Sequence, residues 1–207
     1  MNDRIQAHVD GCRAAQARLS VTLDTVTDSV ARQPSLLPDW TVGHVLTHIA
    51  RNADSVLRRI DGAIRDQVVD QYVGGFEGRA ADIEAGAGRP AVALVADVRA
   101  TSAALDAALS TVPDEAWGRM TRGVGGGLAP LDAVLFSRWR EVEVHHADLG
   151  LGFRYRDWSE AFVAEALVRE LARLPSRVAD AGQRRQLCAW LMDRAAGPGA
   201  LELAPWG

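Results

Sequence analysis

The 207-residue chain has no lysine, only two cysteines and no long apolar run, and each shortage narrows what the protein can be. A membrane-crossing helix needs roughly 18 or more uninterrupted apolar residues. No stretch approaches that, and the opening MNDRIQAHVDGC lacks the apolar centre of a signal peptide. The expectation is a soluble, cytoplasmic protein with no membrane partner. A basic surplus is also missing: the net charge of -4 offers no general attraction to nucleic acid or anionic lipid, so no polyanion partner is expected. Cys12 and Cys188 lie far apart, in no Cys-x-x-Cys spacing, and read as two reduced, largely buried thiols rather than nucleophiles. The glycine-rich RGVGGGLAP, 122–130, lacks Walker or dinucleotide spacing and follows no clear strand, so it reads as a flexible loop rather than a phosphate cradle.

What is present is helical. The length suits one sizeable domain, or one with a small appendage, able to bury a core without staples. Alanine and arginine are abundant, and no repeat or low-complexity tract interrupts the chain. Between 3 and 31, Ile5, Val9, Cys12, Leu19, Leu23, Val26 and Val30 recur at helical steps. Pro34 and Pro38 break that pattern, and a second helix is expected from Thr41 to Ala63. The glycines between Asp66 and Pro90 suggest a long connection, with a turn or two of helix around Arg79 to Glu84. A third helix opens at Pro90 and stops before Pro113, and a fourth covers Leu131 to Leu149. Shorter helical patterns follow at Ser159–Leu174 and Arg184–Ala195, then LELAPWG, which suits one short strand. Four long helices with one long crossing connection describe a mainly α four-helix bundle over 1–152, with a small C-terminal α(+β) region over 153–207 packing on it.

The fourth helix carries REVEVHHADLG, 140–150, with two glutamates, two adjacent histidines and an aspartate. At about 100° per residue, Leu135, Val142 and Leu149 fall within about 40° of Leu131 and define an inward face. His145 lies about 40° from its centre and Glu141 about 80°. Glu143 lies about 120° away, towards solvent, and His146 about 60° away, so the wheel leaves it open. Glu141 and His145, four apart, stack on one face. A buried carboxylate needs a partner, and a divalent cation is one of the few that would compensate it. The second helix offers His44 and His48, also four apart, with His48 nearer the apolar stripe and His44 at its edge. Two histidines and one carboxylate leave open coordination positions, the pattern of a catalytic rather than a structural metal site.

DWTVGHVLTHIARNA, 39–53, and SRWREVEVHHADLG, 137–150, resemble the two metal-binding segments of the mycothiol-dependent maleylpyruvate isomerases, a family of the DinB-like metal-binding bundle superfamily. The resemblance runs over about residues 1 to 155 and implies His48, Glu141 and His145 as ligands of a divalent metal, most suitably zinc, with mycothiol as thiol cosubstrate. The implied reaction is cis-trans isomerisation of maleylpyruvate to fumarylpyruvate: the thiolate adds to the double bond, the adduct rotates, and elimination returns the thiol. AWLMDRAAGPGALELAPW, 189–206, resembles the family's terminal helix and tail, and places Arg194 at an arginine implicated there in activity. Only about 50 residues follow Gly152, so the C-terminal region is expected to be a shortened version of the family's α/β domain. Arginines facing the metal suit a substrate with two carboxylates. Arg138, near the centre of the inward face, and Arg79, in the long connection, are the candidates. Trp40, Trp117 and Trp139 read as packing residues. The rival readings are a mycothiol S-transferase acting on another electrophile, and a non-catalytic metal-binding bundle. The expected partners are a small-molecule substrate and a low-molecular-weight thiol, and the protein is expected to be a monomer or homodimer.

Overall fold

The computed structural model describes residues 2–192, 194–197 and 199–203. Helix α1 (Asp3–Leu23) starts where the Asn2 side chain accepts the Ile5 N–H at 2.9 Å, and it turns Ile5, Val9, Cys12, Ala15, Leu19 and Leu23 inward. It does not run on to 31. The chain turns after Leu23 and begins the four-residue α2 (Asp28–Ala31), with Thr27 accepting the Val30 N–H. A threonine at a cap position competes for backbone donors and ends one helix as readily as it opens the next.

Helix α3 (Val42–Ile64) is the central element and buries residues on most of its circumference. A reciprocal cap fixes its start: the Thr41 hydroxyl accepts the His44 N–H, and His44 Nδ1 accepts the Thr41 N–H at 3.2 Å. The preceding loop is pinned at two points. Pro34 and Thr41 form an isolated antiparallel bridge, and the Leu36 N–H donates to the carbonyl of Asp148 at 2.8 Å.

Helices α5 (Ala91–Leu109) and α6 (Leu131–Asp148) complete the bundle. α3 packs on α5 and α6, and α1 packs on both as well, so the four close around one core that includes Val9, Val56, Ile60, Leu105, Leu131 and Leu135. The connection between α3 and α5 holds more helix than its glycines suggested: α4 (Gly75–Ala87) has 13 residues and lies along α3. Gly86 permits contact with α3 rather than breaking the helix. A methyl group at Gly86 would stand 2.4 Å from Thr47 Cγ2, and one at Gly43 of α3 would stand 2.2 Å from the Ala87 carbonyl oxygen.

The run at 122–130 is the end of the first strand, the turn and the second strand of a hairpin, β1 (Met120–Arg122) and β2 (Leu128–Pro130), with Thr121 opposite Ala129. Gly126, at φ +83°, supplies the left-handed backbone that closes the turn. The hairpin delivers the chain into α6, whose Leu131 N–H donates to the Arg119 carbonyl.

Contacts divide the chain into two compact units, with the division between Trp158 and Ser159. The second unit contains α7 (Glu160–Arg177), α8 (Ala181–Leu191) and an isolated bridge between Val178 and Leu203. Of the strand expected at the end of the chain, only that bridge is seen, and 204–207 lie outside the described residues. Cys12 is buried, its Sγ 3.4 Å from the Leu135 carbonyl, and burial pushes its thiol up to about 12. Cys188 is exposed, contrary to expectation, because α8 buries only Leu187. No helix among the described residues is long and apolar enough to cross a membrane.

Candidate metal centre

Helices α3 and α6 meet along faces that place His48 against Glu141 and His145. His48 Nε2 lies 2.9 Å from Glu141 Oε2, and His145 Nε2 lies 3.4 Å from the same oxygen. The imidazole rings meet edge to face at 4.6 Å. One ligand atom from each of the three residues falls within 4.8 Å of the others. Donor atoms on a tetrahedral ion with bonds of about 2.0–2.1 Å sit about 3.3 Å apart, so this donor set fits a small divalent cation and leaves a further position for an exogenous ligand.

Both histidines are held from behind. His145 Nδ1 is 2.8 Å from Asp148 Oδ2, which fixes the ring and directs Nε2 at Glu141. Arg79, from α4, donates to His48 Nδ1 at 3.3 Å and lies over the Trp40 ring, which itself meets His48 edge-on. Asp148 was not anticipated from sequence, although its i, i+3 spacing from His145 places it on the neighbouring turn.

The electrostatics of the trio centre on one shared charge. Burial disfavours ionisation of Glu141, but hydrogen bonds from His145 and His48 outweigh it and hold the carboxyl well below the usual carboxylate range. Burial dominates at His48 and pushes it down to about 4, against the hydrogen bond to Glu141. At His145 burial also acts downward, but Asp148 and Glu141 together raise it to about 9. Without metal, the neutral protein therefore holds His145 as imidazolium and His48 as neutral imidazole.

The other candidates fall in different places. Glu143 does not face solvent. It is 1% exposed, paired with Arg18 of α1 and accepting from Trp139 Nε1. The wheel assumed one buried face, whereas α6 is covered by α3 on one side and α1 on the other. Phe136 and Trp139, on the Glu143 side of the wheel, carried that signal. His146 is buried on the same α1 side, with Nε2 2.7 Å from the Thr22 hydroxyl and its ring stacked on Phe153. His44 caps α3 and faces Glu84 at 3.2 Å. Trp117 and Trp139 are buried. Arg138 is buried between α3 and α6, where its Nη1 donates to the Ile49 carbonyl and to Asn52 Oδ1, each at 2.9 Å. Arg194 belongs to the second unit, beyond α8, where its N–H donates to the Ala189 carbonyl.

Residues 12–150, which include every member of the trio, match the mycothiol maleylpyruvate isomerase N-terminal domain family. The chain belongs to that family. Among solved structures, the mycothiol-dependent maleylpyruvate isomerase superposes with a TM-score of 0.76 at 25% identity, over 86% of this chain and 73% of that one. A variant of the same enzyme with one histidine replaced by alanine superposes equally widely, with a TM-score of 0.75. YfiT from Bacillus subtilis, described as a probable metal-dependent hydrolase with an unusual four-helix bundle topology, shares the fold with a TM-score of 0.59 at 17% identity, over 77% of this chain and 91% of its own. No curated protein matches the chain by sequence. The architecture is thus that of the DinB-like four-helix bundles, mainly α.

Proposed function

We propose that the chain is a metal- and mycothiol-dependent isomerase converting maleylpyruvate to fumarylpyruvate, with a divalent ion, zinc by preference, held by His48, Glu141 and His145. The observation that carries this reading is the convergence of two imidazole nitrogens and one carboxylate oxygen from α3 and α6 within 4.8 Å, inside the segment that matches the family. When bound, the ion supplies a Lewis acid that lowers the pKa of a thiol in the open position.

The protein's own groups prepare that position. Asp148 holds the proton of His145 on Nδ1 and leaves Nε2 as the ligating atom. His48, neutral because it is buried, carries no charge that opposes a cation. With Nε2 as a ligand, the neutral His48 ring would carry its proton on Nδ1 instead and could no longer accept from Arg79. Arg79 is then free to meet a substrate carboxylate beside Trp40. Arg194 is retained as the catalytic arginine of the second unit on resemblance alone.

Metal analysis of purified protein, followed by maleylpyruvate turnover with and without mycothiol on the same sample, tests the proposal. Thiol-dependent isomerisation by metal-loaded protein is expected. A stable mycothiol conjugate in its place would assign an S-transferase, and bound metal that takes up no thiol would assign a non-catalytic metal-binding protein.

A further inference from the structure

Helix α7 has its polarity reversed. A helix of a folded domain ordinarily turns its apolar stripe inward and its charges to solvent. In α7 Phe162 is buried, and the ion pairs Glu165–Arg169 and Glu170–Arg177 keep side chains that are only 24–34% exposed. The open residues are instead Val163, Leu167, Val168 and Leu171, at 36%, 54%, 70% and 57%. At about 100° per residue, Val163, Leu167 and Leu171 form one line along the helix, and Val168 widens it on one side.

The second unit offers this line little cover. Among its described residues Phe162, Val178 and Leu187 are the buried hydrophobics, and with α8 in place the line stays open. So small a unit, Ser159–Gly207, has a correspondingly small interior, and small units commonly gain the missing burial by association.

The pattern of α7 complements itself. Val163 stands four residues before Leu167 and Leu171 four after it, so a second α7 laid antiparallel sets Val163 of each chain against Leu171 of the other. The charges follow the same rule. Three glutamates, Glu160, Glu165 and Glu170, lean towards the N-terminus, and three arginines, Arg169, Arg173 and Arg177, towards the C-terminus. Antiparallel pairing brings Glu160 of one chain to the Arg173–Arg177 turn of the other and opposes the two helix dipoles, whereas parallel pairing sets like charges side by side. Because these charges balance, α7 has no net attraction to an anionic lipid surface or to a polyanion. Self-complementarity is what a two-fold contact between identical chains requires.

We infer that the open face of α7 is a self-association surface, and that its partner is a second copy of this chain in antiparallel, two-fold contact. A helix about 27 Å long and about 10 Å wide gives a footprint on the order of 300 Å², the size at which an apolar patch marks an interaction and below the roughly 800 Å² per partner of a standard complex. The dimer is therefore a reversible one, and nothing in it depends on the metal centre.

Sedimentation equilibrium of the whole chain between about 5 and about 500 µM tests the surface. The mass should rise from one chain towards two over that range. Leu167→Glu and Leu171→Glu should each weaken association about tenfold or more, whereas Val92→Glu, at a 78% exposed position of α5, should associate as the wild type does. Circular dichroism checks folding, and either glutamate variant that folds decides. Orientation is read by cross-linking in a Cys188→Ser background. Val163→Cys chains mixed with Leu171→Cys chains should oxidise to a mixed disulfide faster than either variant alone. A wild type that stays monomeric at about 500 µM overturns the surface, and co-sedimentation of that monomer with phosphatidylcholine vesicles would give the face to a lipid surface instead. A dimer that survives in the folded glutamate variants also overturns it, and cross-linking that is as fast in the unmixed variants overturns the antiparallel contact.

Discussion

Raising the pH of the metal-free protein should destabilise it over a defined window. His145 keeps its proton up to about 9 in the folded state, whereas an unfolded histidine loses it near 6.5. Between those values the native state binds more protons than the unfolded chain, so this contribution is complete below about 6.5 and is lost as pH rises through about 9. At about 1.4 kcal/mol per pH unit, the gap makes the loss about 3 kcal/mol, a large share of the stability of an ordinary domain. On the acid side His48 and His146, both pushed down to about 4 by burial, act in the opposite sense. Between 4 and 6.5 the unfolded chain takes up protons that the native state refuses, so stability also falls as pH falls. The metal-free protein should therefore be most stable near pH 6.5. Urea unfolding followed by circular dichroism in the presence of chelator, at about pH 6.5, 8 and 9.5, reads the alkaline limb as a falling midpoint at constant slope. Asp148→Asn should flatten that limb, because it removes one of the two carboxylates that raise His145. A wild-type midpoint that is flat or rises from 6.5 to 9.5 would refute the charge assignment within the trio.

Four further outcomes are expected. His48→Ala, Glu141→Ala and His145→Ala should each sharply reduce the metal content of purified protein, measured by elemental analysis. Glu143→Ala should keep the metal but lower stability by about 1–3 kcal/mol, because Arg18 and the Trp139 N–H lose a buried acceptor. Asp148→Ala should weaken metal affinity about 10- to 100-fold in a competition titration with a chelating dye, through loss of the orienting contact to His145 Nδ1. Gly43→Ala should cost about 1–3 kcal/mol in thermal or urea unfolding, because its methyl group would meet the Ala87 carbonyl and α4 would have to shift.

The long helices were legible because each carries an apolar stripe that recurs at helical spacing. α3 and α5 begin within a residue or two of the positions expected from Thr41 and Pro90. The trio was legible for the same reason, since polar residues at i, i+4 on an inward face are conspicuous. Helix α4 was not: its Gly86 serves close approach to α3, and a single sequence cannot distinguish a glycine that breaks a helix from one that lets two helices touch. The burial of Glu143 and His146 was missed because one wheel describes one neighbour, and α6 has two. The burial of Arg59 was missed for a related reason, as an arginine is ordinarily a surface residue. Asn52 and Ser55, one and two turns beyond His48 on the same face, were the available signal.

The loop before α3 has a role that its proline-rich sequence does not advertise. It is bonded at Leu36 to the backbone of Asp148, the residue whose carboxylate orients His145, and it ends in the cap that starts the helix carrying His48. It works as a strap between the two halves of the candidate centre, tying the start of the helix that carries His48 to the end of the helix that carries Glu141 and His145. A change in the length of 33–41 would thus be felt as a change in the spacing between His48 and the Glu141–His145 pair with all three side chains intact.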